Sequence, residues 1–263
     1  IRFNFINSVS FNDLVQQMGY PRYPGNWKSP PNSQLLTVYA YPDELDYPAI
    51  RNKGWFNLEV FHKPQVSVPL EQIVPREFID DDLDGQFTGK LILLSMGSMG
   101  SIDVKLNQRI ASVLAKSRHK CIFSKGPLAD EYELPPNCWG QAFLPQTQIL
   151  PLVDLVITHG GNNTVTETFA QGKPMVVMPN FYDQFDNAQR LQETGFGIWV
   201  DTYGFSDQEL IGAVDRLLYD EQLYERLEIA SKRILAQNRH LELAIEIERI
   251  VEEEKNQNGS NGL

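Results

Sequence analysis

The residues with the most potential for chemistry lie in one run from Thr158 to Glu167, which reads Thr-His-Gly-Gly-Asn-Asn-Thr-Val-Thr-Glu. The two glycines permit a sharp turn, after which His159, Asn163, Thr164 and the first N–H groups of a helix can converge on a diphosphate. Asn163 and Glu167 are four residues apart and share one helix face, where the carboxylate could accept hydrogen bonds from two ribose hydroxyls. A capping box of Thr164 and Glu167 is the alternative, but it leaves His159 without a role.

A second run, Ser95 to Ser101, consists only of Ser, Met and Gly and directly follows an apolar segment. Small residues at such a position let backbone N–H groups approach an anion closely, and the helix that follows presents its positive end. The same residues also suit a tight strand-to-helix turn for steric reasons alone. The run is therefore compatible with a phosphate-binding loop and with a purely structural turn.

Two further clusters place polar or aromatic groups after predicted strands. Asp183 and Gln184 follow an apolar run, and a carboxylate beside an amide suits the hydroxyls of a sugar. Helix capping is the alternative for them, and Asp186 is an equally good capping residue. Phe143, which precedes Gln146, could stack on a nucleobase. An isolated Phe is, however, more often part of a hydrophobic core.

The elements that must position these residues begin at Lys90, where short apolar runs start to alternate with amphipathic segments, as in βαβ units with a parallel sheet. We predict strands at Leu91–Met96, Cys121–Ser124, Cys138–Phe143, Leu155–Thr158, Met175–Pro179 and Gly197–Val200. We predict helices at Val104–Lys116, Val165–Gln171, Asn187–Thr194, Ser206–Tyr219, Glu221–Ala236 and Leu241–Glu254. Gly172 and Gly195 follow two of these helices, as a left-handed C-terminal cap requires. Right-handed crossovers then give a doubly wound, Rossmann-like sheet, which binds ligands beyond the carboxyl ends of its strands.

Residues 1–85 differ in composition from the rest of the chain, because prolines are frequent there and exclude long helices. Two segments, 34–40 and 55–61, have a β-rich composition, and the acidic run 80–85 reads as a solvated linker. The polar tail 256–263 is predicted to be frayed. We therefore divide the chain into residues 1–85, a ligand-binding domain at residues 86–255 and the tail.

The composition limits the possible partners and compartments. The formal net charge of −11 argues against a nucleic-acid partner, because such a partner requires basic patches. Cys121 and Cys138 lack metal-ligand spacing, so we predict two buried thiols in a reducing compartment. No run of roughly 20 apolar residues and no signal sequence is visible, which predicts a cytoplasmic or otherwise soluble protein. The opening segment, Ile1 to Phe5, reads like the interior of a longer chain.

The order of the clusters resembles the signature of the UDP-glycosyltransferases. The resemblance rests on Phe143 to Gln146, Thr158 to Glu167, Gly172-Lys173-Pro174, and Pro179 with Asp183-Gln184. It is similar to the version in animal glucuronosyl- and glucosyltransferases and in bacterial macrolide-type relatives. The resemblance implies a GT-B fold and transfer of a hexosyl group, with inversion, from a UDP-sugar to a small lipophilic hydroxyl acceptor. It implies neither a metal nor a cofactor besides the donor substrate.

By this resemblance, residues 86–255 are the carboxyl-terminal half, which binds the donor. Phe143 would stack on uracil, although the family usually has Trp there, and Gln146 would lie near the base or ribose. Glu167 would hold the ribose hydroxyls, while Asp183 and Gln184 would contact the donor sugar. The residues expected around the diphosphate are Ser98, His159, Gly161, Asn163 and Thr164.

The sequence departs from the family in its catalytic base. The family uses a histidine near the start of the amino-terminal domain, helped by an aspartate, and no histidine here lies in such a motif. Residues 1 to about 65, including Tyr41 to Pro48, resemble the last part of that domain. We therefore expect a truncated chain that keeps donor binding, contains no catalytic residue and is inactive alone, with a possible complementing amino-terminal half. The alternatives are a noncatalytic nucleotide-sugar-binding module, one subunit of a two-chain transferase and, less favoured by Asp183-Gln184, another GT-B enzyme such as a nucleotide-sugar epimerase.

Overall fold

The computed structural model describes residues 35–47, 54–61, 68–80 and 89–260, together with the single positions 16, 19 and 49. Most of the acidic run that we interpret as a linker, residues 81–85, lies outside these ranges. Within them, no helix is both long enough and apolar enough to cross a membrane.

Six short apolar strands form one parallel sheet, as the sequence predicts. They are β3 (Leu91–Ser95), β4 (Lys120–Ser124), β5 (Cys138–Gln141), β6 (Leu155–Thr158), β7 (Met175–Val177) and β8 (Gly197–Trp199). All four residues of β6 and all three of β7 are buried, because parallel strands inside a doubly wound sheet are covered on both faces. Several strands end one or two residues earlier than predicted; β5 ends at Gln141, which leaves Phe143 in the following loop.

The strand order is β5-β4-β3-β6-β7-β8, so the direction of winding reverses between β3 and β6. Ser95, the last residue of β3, pairs with Thr158, the last residue of β6. The loops after these two strands therefore leave the sheet side by side. In doubly wound sheets this switch point is where ligands bind.

Helices accompany the strands, and most of them contribute residues to one hydrophobic core with the sheet. They are α1 (Arg76–Asp80), α2 (Gly97–Gly100), α3 (Val104–Leu114), α4 (Gln146–Ile149), α5 (Asn162–Ala170), α6 (Asp183–Thr194), α7 (Asp207–Leu218), α8 (Glu221–Ala236) and α9 (Arg239–Ser260). Gly195 ends α6 with a φ of 70°, a left-handed cap that a side chain would disfavour, and Ser206 forms the expected capping box with Glu209. Helix α9 continues five residues into the segment that we assign to the frayed tail.

The amino-terminal segment, residues 35–47 and 54–61, contains two short parallel strands, β1 (Thr37–Tyr39) and β2 (Trp55–Asn57). It packs against the large sheet's helices, since Leu45 and Val60 belong to the same core. Arg190 of α6 donates to the carbonyl oxygen of Leu45 at 2.7 Å. This segment is therefore part of the same packed body as the sheet.

An ion-pair cluster holds this segment to α8. Arg233 donates to Glu59 through two bonds of 2.6 and 2.5 Å and to Glu44 at 2.7 Å. The Glu59 side chain is 1% exposed, and its residue has a φ of 63°, which is unusual for a residue other than Gly. The hydrogen bonds to Glu59 and Glu44 raise the pKa of the Arg233 guanidinium. The buried carboxylate thus depends on this arginine for its compensation.

The two cysteines are free and buried, as predicted. Cys121 and Cys138 lie in register on the neighbouring strands β4 and β5. A hydrogen bond to Cys138, together with burial, raises the pKa of the Cys121 thiol. A protonated, inaccessible thiol is unreactive, which agrees with a packing role.

Candidate functional site

A cleft of about 1250 Å³ opens beyond the carboxyl ends of β3, β4 and β5. Its walls come from the loops after these strands and from one face of α5, with two further residues, Phe61 and His240, from outside these elements. The lining side chains include Ser95, Ser98, Ser124, Phe143, Gln146, Asn163, Glu167, Phe61 and His240. The cleft therefore lies where the strand order predicts a ligand.

Gln146 and Glu167 form the polar centre of the cleft. The Nε2 atom of Gln146 donates to Oε2 of Glu167 at 2.8 Å, and its Oε1 atom accepts a bond of 2.7 Å from Oγ of Ser95. Thr164 lies within 3.4 Å of the same Nε2 atom. The Gln146 amide bonds only one oxygen of the Glu167 carboxylate. The other oxygen, Oε1, has no bond to the described residues and can therefore accept a hydrogen bond from a ligand.

Phe143 lies on the rim of this cleft with 84% of its surface exposed. This exposure excludes the alternative that Phe143 is a core residue. An aromatic ring presented to a cavity in this way can stack on the flat face of a planar ligand. Its position, two residues after the end of β5, places it three residues before Gln146.

The first turn of α5 offers unpaired backbone N–H groups to the same side of the sheet. Gly161 is the N-cap residue and supplies no side-chain cap, so the first amides of the helix remain available. Thr164 is the third residue inside the helix and not its cap, so the capping-box interpretation of Thr164 and Glu167 is wrong. Asn163 is exposed and lines the cleft with Glu167, which confirms that the two share one helix face.

The imidazole of His159 packs between two glycines. A Cβ atom at Gly97 would lie 2.6 Å from its Cε1 atom, and a Cβ atom at Gly161 would lie 2.5 Å from its Nε2 atom. Since Gly97 lines the cleft, His159 lies directly behind the cleft wall. Burial lowers the pKa of His159, while a backbone hydrogen bond at Ser95 and the charge of Asp183 oppose this effect. The ring is therefore uncharged at neutral pH.

Gln184 braces the loop that follows β7. Its Oε1 atom accepts from the backbone N–H groups of Asn180 and Phe181 at 2.8 and 3.1 Å, and its residue is 3% exposed. These bonds hold the loop in which Tyr182 adopts a φ of 51°. Tyr182, and not Asp183 or Asp186, occupies the N-cap position of α6, so the capping alternative is wrong for both acidic residues.

The structure thus divides the ten predicted donor-binding residues into two neighbouring groups. Ser98, Phe143, Gln146, Asn163 and Glu167 line the cleft itself, whereas His159, Gly161, Thr164, Asp183 and Gln184 do not. The second group adjoins the cleft through the contact of His159 with Gly97 and of Thr164 with Gln146. The ligand contacts assigned to individual residues stay predictions.

Sequence reasoning missed several residues of the cleft, including Ser95, Ser124, Phe61 and His240. Ser95 stood in a recognised run, but its bond to Gln146 could not be foreseen. Phe61 and His240 belong to no motif, and they meet across a sequence separation of 179 residues. No local signal could have brought these two residues together. Within the described ranges, no group of three His, Cys, Asp or Glu side chains is placed to hold a metal ion.

Comparison with known proteins supports a glycosyltransferase relationship. The NDP-glycosyltransferase YjiC of Bacillus subtilis (strain 168) is 29% identical over 147 residues, which is 55% of this chain and 38% of YjiC. The solved glycotransferase of kitacinnamycin superimposes with a TM-score of 0.67 at 25% identity, over 82% of this chain and 55% of that one. The spinosyn rhamnosyltransferase SpnG complexed with thymidine diphosphate superimposes with a TM-score of 0.62 at 19% identity. The match covers 89% of this chain and 60% of SpnG, and it shows that the two share a fold.

The chain therefore spans only part of the length of each of these proteins. A family model for UDP-glucuronosyl and UDP-glucosyl transferases matches residues 86–234. This range includes every lining residue of the cleft except Phe61 and His240. Because the match covers more than half of the sequence, the chain belongs to the UDP-glucuronosyl and UDP-glucosyl transferase family.

Proposed function

We propose that this chain binds the donor of an inverting glycosyltransferase that moves a hexosyl group from a UDP-sugar to a small lipophilic hydroxyl acceptor. The observation that carries the proposal is the Gln146–Glu167 pair, which presents a carboxylate oxygen to a cleft beside the exposed ring of Phe143. In this arrangement Glu167 accepts from the ribose hydroxyls while Phe143 stacks on the base. SpnG, a protein of the same fold, is complexed with thymidine diphosphate, which agrees with a nucleoside diphosphate ligand.

The proposed mechanism depends on hydrogen-bond donors that would surround the diphosphate. Negative charge accumulates on the leaving UDP as the glycosidic C–O bond breaks, and fixed donors stabilise it most where water is excluded. The uncapped amides at the start of α5 and the imidazole of His159 are these donors in our proposal. We propose that this stabilisation proceeds without a metal ion.

Removal of the proton from the acceptor hydroxyl requires a general base, and each described histidine has another role in our proposal. His119 is buried, accepts from the backbone N–H of Lys90 and pairs with Asp215. His159 packs against Gly97 on the phosphate side, and we assign His240, which lines the cleft beside Phe61, to binding of the nucleoside. His62 lies outside the described residues. We therefore propose that the base is contributed from outside the described residues and that this chain alone binds donor without turnover.

Calorimetric titration of the chain with UDP and UDP-glucose tests the proposal. We expect saturable binding in the range of typical enzyme affinities, at or below about 1 mM. Absence of heat and of competition at millimolar UDP would contradict donor binding. Incubation with radiolabelled UDP-glucose and a panel of lipophilic alcohols tests the second part, and glycoside formation by the purified chain would overturn the assignment of the base.

A further inference from the structure

Two residues outside the family-matched range complete one wall of the cleft. Phe61 lies at the end of the amino-terminal segment, and His240 is the second residue of α9. The family match stops at residues 86 and 234, so neither position is covered by it. Both nevertheless line the same cavity as Phe143, Gln146 and Glu167.

A hydrogen bond joins these two residues and determines which ring nitrogen of the histidine donates. The Nε2 atom of His240 lies 3.0 Å from the carbonyl oxygen of Phe61. A carbonyl oxygen can only accept, so Nε2 must carry the proton and donate it. In the uncharged ring, Nδ1 then retains its lone pair and can accept a hydrogen bond from a ligand.

The position of Phe61 is defined by strong contacts close by in the chain. Glu59, two residues earlier, is buried and receives the two bonds from Arg233 at 2.6 and 2.5 Å. Val60, between them, is 5% exposed and part of the core. Phe61 therefore follows directly on two residues that are packed into the body of the protein, which limits the movement of its ring.

The composition of the cleft suits a flat, partly apolar ligand. Phe61 is 42% exposed and Phe143 is 84% exposed, so two aromatic rings present apolar surface to one cavity. Ligand pockets combine such surface with a few placed polar groups, which here are the Gln146–Glu167 pair and His240. A nucleoside has this character, since its base is flat and its ribose is polar.

We propose that Phe61 and His240 are further donor-binding residues that form a second wall of the nucleoside subsite. The base lies between the rings of Phe143 and Phe61, and Nδ1 of His240 accepts a hydrogen bond from the nucleoside. This inference rests on the proposed function, since it assigns the nucleoside end of the same donor. It extends the site to two elements, the amino-terminal segment and α9, that the family match does not include.

Calorimetric titration with UDP tests the wall in the full chain. Phe61→Ala and His240→Ala should each lower the affinity for UDP roughly fivefold or more. A roughly fivefold loss is the lower end of the range expected when one aromatic stacking partner is removed. Phe61→Tyr should restore nearly normal binding because it keeps the ring. Leu241→Ala is the matched control, since this neighbour on α9 is 53% exposed and does not line the cleft.

The outcomes separate this inference from the proposed function. If the unsubstituted chain fails to bind UDP, the proposed function fails. If it binds and Phe143→Ala weakens binding while Phe61→Ala and His240→Ala do not, only the second wall is overturned. A check that needs no variant is nuclear Overhauser contact between the uracil protons and selectively labelled Phe rings. Contacts to both rings would support the wall, and contacts to Phe143 alone would overturn it.

Discussion

The amide nitrogen of Gln146 donates a 2.8 Å hydrogen bond to the carboxylate of Glu167, twenty-one residues further along the chain. The bond ties the first residue of α4 to the second turn of α5, the helix after β6. It fixes one oxygen of the carboxylate and directs the side chain to the cleft that both residues line. Polar ligand recognition requires such preorganisation, because a free side chain loses rotamer entropy on binding.

Replacement of Glu167 by Ala should weaken UDP binding about tenfold or more, since a hydrogen bond to a charged group contributes about 1.5–3 kcal/mol. The loss should be much smaller for 2′,3′-dideoxyuridine diphosphate, which lacks the ribose hydroxyls. Titration calorimetry with both ligands measures the difference. Equal losses would instead indicate that Glu167 stabilises the protein and does not contact the ribose. A Gln146→Ala variant and the double variant then give the coupling energy between Gln146 and Glu167.

The protein should take up a proton at His159 when it binds UDP-glucose. Burial lowers the pKa of His159 in the free protein, so the ring is uncharged at neutral pH, whereas a bound diphosphate favours the imidazolium. The affinity should therefore rise as the pH falls through the higher pKa of the complex, and level off below the lowered pKa of the free protein. Calorimetry near pH 6 in two buffers of different ionisation enthalpy measures the uptake. Unchanged uptake in His159→Gln would exclude this residue as the proton acceptor.

Replacement of Gly97 by Ala should destabilise the fold and disturb the cleft. Gly97 has a φ of 65°, and a Cβ atom there would lie 2.6 Å from the imidazole of His159. The left-handed conformation alone costs about 1–2 kcal/mol for a residue with a side chain, and the contact adds to this loss in the free energy of unfolding. Denaturant titration measures the loss, and UDP affinity should fall as well because Gly97 lines the cleft.

Gly212→Ala is the control for this experiment. Gly212 lies inside α7, and a Cβ atom there would meet no atom within 4 Å. The substitution should raise the free energy of unfolding by about 0.5–1 kcal/mol, the helix preference of Ala over Gly. Equal effects at both positions would contradict the steric role of Gly97.

Replacement of Arg233 by Met should lower the free energy of unfolding by about 3 kcal/mol, because it leaves the buried carboxylate of Glu59 without its main partner. Arg239, at 3.8 Å from Glu59, compensates only in part. Limited proteolysis should release the amino-terminal segment more readily. Lys232→Met is the control, since Lys232 and its partner Glu228 are both exposed and such pairs contribute little. A neutral result for Arg233→Met would show that Glu59 is compensated in another way.

Local patterns were sufficient to identify the strands and most helices of the sheet. The fully buried strands β6 and β7 are short continuous apolar runs, and the boundaries after α6 and before α7 carry their own glycine and capping signals. These features depend on neighbours within a few residues, so the sequence displays them directly. Phe143 was ambiguous for the opposite reason, because whether an apolar residue is buried depends on which other elements cover it.

The sequence by itself determined the family, the parallel sheet and the shared helix face of Asn163 and Glu167, since these follow from local periodicity and from an ordered set of motifs. Only the tertiary structure decided that Gln146 holds Glu167, that His159 packs between two glycines, and that Phe61 meets His240 at the cleft. Each of these contacts joins residues far apart in the chain. Such contacts are set by the packing of whole elements against one core, and no spacing between neighbouring residues records them.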